Sequence, residues 1–129
     1  MVIDSSALVA ILFDEPERSH FNRLIEADRV RLISAATFLE AALVVEARRG
    51  EAAGRELDLL MHRARVSVVS VDAEQAETAR AAWRRYGKGR HKAGLNYGDC
   101  FSYALAKVSG EPLLAKGDDF AQTDVRLCS

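Results

Sequence analysis

The sequence predicts an α/β fold in which helices cover a central parallel sheet. Three observations carry this. Short β-rich runs at Met1 to Ile3, Val30 to Ile33 and Val66 to Val71, with Leu113 to Ala115 as a fourth, alternate with longer stretches of helical apolar spacing. Alternation of that kind is the signature of a parallel sheet with crossover helices. At 129 residues the chain can bury roughly two-thirds of its unfolded surface, so one domain over residues 1–129 is expected.

The elements follow in order. Met1-Val2-Ile3 is a short apolar strand, and Asp4 ends it and caps the helix that opens at Ser5-Ser6-Ala7-Leu8. Pro16 suits the first turn of the next helix. After Val30 to Ile33, the stretch around Phe38 to Val45 is helical and apolar nearly all the way round, and Gly50 suits the position past its end. The strand Val66 to Val71 leads to Asp72 and Gln75, which resemble a capping box. Gly87 to Gly94, GKGRHKAG, reads as a loop. A further helix opens near Asp99, runs to Ser109 and stops at Gly110, ahead of Leu113 to Ala115. No repeat, linker or low-complexity tract interrupts the chain.

Composition excludes several classes. Apolar residues make up 49% and charged residues 29%, with a formal net charge of −1, so neither disorder nor a uniformly basic nucleic-acid coat is indicated. Cys100 and Cys128 have no CxxC spacing, which argues against a disulfide framework or a zinc knuckle and fits a reducing cytoplasm. The apolar run Ala7 to Phe13 is too short for a bilayer, and Asp4 stands where a signal peptide carries Lys or Arg. No membrane association is expected.

Carboxylates in apolar surroundings are the informative feature. Asp4 lies at the end of a strand, where loops and helix starts of an α/β fold converge on the functional crevice. Glu40 sits within Phe38-Leu39-Glu40-Ala41-Ala42-Leu43, and Asp99 at the helix start in Asn96-Tyr97-Gly98-Asp99-Cys100. A fourth acidic place, Gly117-Asp118-Asp119-Phe120, follows the last strand. Taken singly, each has a plain structural use: a cap for Asp4, an Arg pair for Glu40, a turn for Asp118 and Asp119. Together they make one acidic edge, which is tolerable when a cation neutralises it. Oxygen ligands suit Mg²⁺ or Mn²⁺, while His20, His62 and His91 are too scattered for zinc.

These residues resemble those of the PIN-domain ribonucleases, specifically the VapC-type toxins of bacterial toxin–antitoxin pairs. MVIDSSALVAIL, SAATFLEAALVVEARRG, GKGRHKAGLNYGDCFSYALAK and GEPLLAKGDDFAQTD carry the likeness, in order, over nearly the whole chain. The resemblance implies a three-layer α/β/α domain with three nearly invariant acids and a less regular fourth around a divalent metal. Carried over by position, the acids are Asp4, Glu40 and Asp99. Many relatives have TxDxxF at the fourth place; Gly117 stands where that Asp would be, so Asp119 is the preferred substitute and Asp118 the alternative.

The resemblance further implies hydrolysis of an RNA phosphodiester, with Asp4 and Asp99 as ligands of Mg²⁺ or Mn²⁺ and Glu40 and Asp119 positioning further metal-bound water or a second ion. Ser6 is placed to hydrogen-bond a carboxylate or phosphate oxygen. A homodimer is implied, as is a cognate VapB-type antitoxin that covers the acidic groove; the helices around Ile11-Leu12-Phe13 and Leu39-Leu43 serve either such contacts or the core. Arg80 to Lys92, RAAWRRYGKGRHK, adds six Lys or Arg with Trp83 and Tyr86 interleaved. Arg84, Lys88 and Arg90 are the expected substrate contacts, with Trp83 expected to face the core.

Two rival readings remain at this level. One is a catalytically silent RNA- or protein-binding module whose acids only cap helices. The other is a phosphatase or receiver-like phospho-acceptor using Asp4, disfavoured because Asp4-Ser5-Ser6 lacks the second Asp of DxDxT.

Overall fold

A computed structural model describes all of residues 1–129. Strands β1 (Val2–Ile3), β2 (Leu32–Ser34), β3 (Ser67–Val69) and β4 (Leu113–Leu114) form one parallel sheet in the order β3-β2-β1-β4. Helices α1 (Ser5–Leu12) and α2 (Arg18–Ala27) join β1 to β2, and α3 (Ala35–Arg49) and α4 (Glu51–Arg63) join β2 to β3. Helices α5 (Ala73–Tyr86) and α6 (Tyr97–Ser109) lead to β4, after which Phe120–Gln122 form a 3₁₀ turn.

Side chains alternate across a strand, and this sheet is covered on both faces. Ile3, Ile33 and Leu114 join a core with α1 to α4, including Leu8, Phe21, Val45 and Leu57. Their neighbours Val2 and Leu113 point the other way, into a core with Tyr86, Leu95, Cys100, Tyr103 and Phe120. The arrangement is the expected α/β/α sandwich. The strands are shorter than their apolar runs. β3 is an edge strand with Val68 half-exposed, so the run Val66 to Val71 pairs on one side only and breaks off early.

Most helix ends match the sequence. Asp4 caps α1 by accepting from the Ser6 amide, Asp72 caps α5 through the Gln75 amide, and Gly50 and Gly110 end α3 and α6 with φ of 79° and 74°. The Asp72 box is only half made, since the Gln75 side chain donates to the Ser70 carbonyl instead of closing back. The full box is at α6, where Asn96 and Asp99 each accept from the other's amide. Pro16 corrects the expectation: it lies in the turn ahead of α2, whose first helical residue is Arg18. No helix is long and apolar enough to cross a membrane, and both cysteines are free thiols.

The strand order places the site. The chain steps from β1 outward to β2 and β3, then returns through α5 and α6 to β4 on the other side of β1. The order therefore reverses between β1 and β4, and a crevice opens beyond their carboxyl ends. Asp4 and the segment Ala115 to Asp119 both begin there.

Candidate active site

Asp4 is 3% exposed, and a buried carboxylate must be met by donors. Oδ2 accepts from the Ser6 amide at 3.1 Å and the Ser6 hydroxyl at 2.7 Å; Oδ1 accepts from Ser102 Oγ of α6 at 2.5 Å. Ser6 Oγ in turn accepts from the Lys116 amide at 2.9 Å, which ties the loop after β4 to the start of α1. The serine of interest thus holds a carboxylate.

Glu40 lies on α3, whose Thr37, Ala41 and Val45 face inward at spacings of four. No arginine pairs with it; Ser5 Oγ donates to its Oε1 at 2.7 Å. Its carboxylate rests on the first turn of α6, over Gly98. A Cβ at position 98 would stand 2.8 Å from Glu40 Cδ and nearer still to Oε2, so any larger residue there would push the carboxylate aside. This close approach brings α3's acid beside Asp99.

Asp99 is part-exposed, and its carboxyl is pushed up to about 6. Burial is the main cause, and the carboxylates of Asp4, Asp119 and Glu40 add to it, against the lowering effect of the Asn96 amide. Asp99 therefore lies within electrostatic reach of three other acids, from the start of α1, from α3 and from the loop after β4. At the fourth place Asp119 is among the groups acting on Asp99, and both Asp118 and Asp119 are exposed. No three His, Cys, Asp or Glu side chains converge as a ready-made metal cage. Asp4, Glu40 and Asp99 are each turned onto a hydroxyl or amide. The donor set is nonetheless all oxygen and mutually repelling, which fits a hard divalent cation.

The basic segment differs from expectation in its aromatics. Trp83 is 41% exposed instead of facing the core, with the Arg90 guanidinium 4.1 Å over its ring, while Tyr86 is the buried one. Arg80 pairs with Glu77 and Arg85 with Asp124, whereas Arg84, Lys88 and Lys92 form no ion pair. Trp83, Tyr97, Phe101 and Arg80 line a cleft of about 480 Å³ between α5 and α6. Tyr97 and Phe101 also line a second groove with Leu39, Glu40 and Leu43. Leu39 and Leu43 are exposed, Ile11 is core, and Phe13 is half-buried beneath Arg49. His20 and His62 are exposed, and the His91 ring accepts from the Ala93 amide.

Sequence reasoning missed Ser5, Gly98, Ser102 and Thr37. Two of them had a readable signal, since Thr37 lies one helical turn before Glu40 and Ser102 one turn after Asp99.

Comparison with known proteins follows the same lines. The PIN-domain family model matches residues 1–126. Over 125 residues the chain is 66% identical to ribonuclease VapC30 of Mycobacterium tuberculosis, covering 97% of this chain and 95% of that protein. It is 65% identical to ribonuclease VapC of Mycolicibacterium smegmatis, covering 97% of each. The crystal structure of Mycobacterium tuberculosis VapC20, a sarcin-ricin loop cleaving toxin, aligns with a TM-score of 0.77 at 20% identity, over 96% of this chain and 95% of that one. That likeness is one of fold.

Proposed function

The chain belongs to the PIN-domain family, and from that premise we propose that it is a divalent-metal-dependent endoribonuclease, the toxin of a VapBC-type toxin–antitoxin pair. PIN-domain ribonucleases depend on divalent metals; Mg²⁺, with Mn²⁺ as a substitute, is the assignment that the oxygen donors favour. What supports the reading is the Asp99 carboxyl, raised by burial and by Asp4, Asp119 and Glu40, together with the close approach of the Glu40 carboxylate to the first turn of α6. Among rival uses of Asp4, a phospho-acceptor role is disfavoured because Asp4-Ser5-Ser6 lacks the second Asp of DxDxT.

In this reading Asp4 and Asp99 hold the ion, and Glu40 and Asp119 orient water around it. A bound divalent ion lowers the pKa of an attacking water and offsets charge on the scissile phosphate. Ser6 and Ser102 fix the Asp4 carboxylate, and Ser5 with the bare backbone of Gly98 fixes Glu40. Arg84, Lys88 and Arg90 draw the RNA backbone in, Arg90 from its seat over the Trp83 ring. The exposed apolar face of Leu39, Leu43 and Tyr97 beside Glu40 supports burial against a protein, in keeping with a homodimer and a VapB-type antitoxin. An RNA substrate is in keeping with a cytoplasmic protein.

The test is brief digestion of total RNA by purified protein followed by mapping of the new ends. Discrete cuts in Mg²⁺ or Mn²⁺ that vanish with EDTA support the reading. Cutting that persists in EDTA, or none with either metal, overturns it.

Two further outcomes are expected. Gly98→Ala pushes the Glu40 carboxylate aside, and small misplacements at a reacting centre are costly. Cleavage falls about ten- to a hundredfold, yet thermal unfolding stays near the parent's, because Ala is the better helix former by about 1 kcal/mol. A parent-like rate would detach Glu40's role from this close approach. Arg84→Ala with Lys88→Ala, placed on an Asp4→Asn background so that RNA stays intact, weakens RNA binding. The slope of log K against log salt falls by roughly 0.7 for each phosphate that these side chains no longer neutralise. An unchanged slope would move the binding track elsewhere.

A further inference from the structure

Behind Asp4 lies a buried hydroxyl pair that the proposed chemistry does not itself require. Ser102 on α6 is 0% exposed and Thr37 on α3 is 1% exposed, and their hydroxyl oxygens are 3.2 Å apart. A carboxylate only accepts, so the single Ser102 proton goes to Asp4 Oδ1 at 2.5 Å. The Thr37 hydroxyl is then the donor to Ser102 Oγ. A directed chain results, Thr37 to Ser102 to Asp4, in which each bond polarises the next. On the other oxygen, Ser6 Oγ is oriented in the same sense, because it accepts from the Lys116 amide while donating to Asp4 Oδ2.

We infer that Ser102, backed by Thr37, is a positioning residue that locks the Asp4 carboxylate for its metal, an inference that rests on the nuclease reading above. The chain joins α1, α3 and α6, the helices that carry or begin at Asp4, Glu40 and Asp99. Asp4 is thereby held in register with the other two acids before any ion arrives. Partners of this kind orient metal ligands, and removing one costs about 10–100-fold in metal affinity. Ser102 touches neither substrate nor ion; it acts through Asp4.

The decisive measurement is Mn²⁺ binding by the RNA-free protein, with cleavage at saturating Mn²⁺ as a second readout. Ser102→Ala raises the Mn²⁺ dissociation constant about tenfold or more and recovers most of its cleavage rate when Mn²⁺ is raised. Thr37→Val, the same shape without the donor, raises the constant severalfold, and Thr37→Ser, which keeps the hydroxyl, binds like the parent. Because the Thr37 pair carries the same contrast, the inference remains testable if Ser102→Ala does not fold. Parent-like binding by Ser102→Ala and Thr37→Val overturns the inference alone, as does an equal loss in Thr37→Val and Thr37→Ser, which would indicate packing. A parent protein that binds no Mn²⁺ overturns the nuclease reading and this inference with it.

Discussion

Asp4→Asn is expected to lose RNA cleavage by more than the roughly 10–100-fold that removing an outer partner of a metal ligand costs, with little change in folding. The two halves of that expectation have separate causes. On the proposed reading activity goes because a carboxamide has one acceptor oxygen and no charge, which would deprive the ion of a direct ligand at the most buried of the four acids. The fold stays because Asn is as good a helix cap as Asp and its oxygen can keep the Ser6 amide and hydroxyl. Its NH₂ then meets Ser102, whose hydroxyl can rotate to donate toward Thr37, reversing the chain without orphaning it. Asp4→Ala has no such escape. It removes the cap and strands buried donors, at a cost of about 1–3 kcal/mol. Comparing the two variants by RNA cleavage and by chemical unfolding separates charge from structure. An Asp4→Asn protein that cuts RNA at the parent rate would remove Asp4 from the metal.

Much of this was legible because local chemistry and global fold agree. The Asp4 cap, the Gly50 and Gly110 stops and the loop at Gly87 to Gly94 are short-range signals, and short-range signals survive folding. Asp4 stands out in the sequence for a different reason: a carboxylate beside Val2-Ile3 is expensive to bury unless donors or a cation meet it. Less could be read where the answer depended on two distant segments meeting. Ser5 and Gly98 matter only because α1 and α6 close on Glu40 from opposite directions, and no spacing along the chain announces that meeting. Trp83 differs for another reason: it shares a helix face with Tyr86, but Tyr86 packs against Tyr103 in the core whereas Trp83, 41% exposed, lines the open cleft between α5 and α6. The exposed Leu39 and Leu43 show the converse, an apolar face that this chain alone leaves open.

Asp99→Asn is expected to abolish cleavage and, with EDTA present, to make the protein more stable at neutral pH. Repulsion is the cause. In the folded chain the Asp99 carboxyl is raised from 3.8 to about 6, first by burial and then by Asp4, Asp119 and Glu40. Between those two values the folded state binds more protons at this group than the unfolded state does. Its contribution to stability is therefore fullest below about pH 4 and is lost as pH rises through about 6, leaving the ionised form a burden at pH 7. Two pKa units correspond to about 3 kcal/mol, and because Asp99 is part-exposed, solvent screening reduces this to about 1–2 kcal/mol. Asn removes that burden and keeps the α6 box, since its side-chain oxygen can still accept from the Asn96 amide. Chemical unfolding of parent and variant from pH 4 to 7 in EDTA checks this. The parent loses stability over that interval, and the variant loses less. Adding Mg²⁺ or Mn²⁺ at pH 7 should reverse the order, because the ion stabilises the folded parent by mass action and finds one ligand fewer in the variant. Equal stability of the two proteins in EDTA, with an equal response to the metal, would mean that Asp99 stands outside the charged cluster and that the site is not built as described.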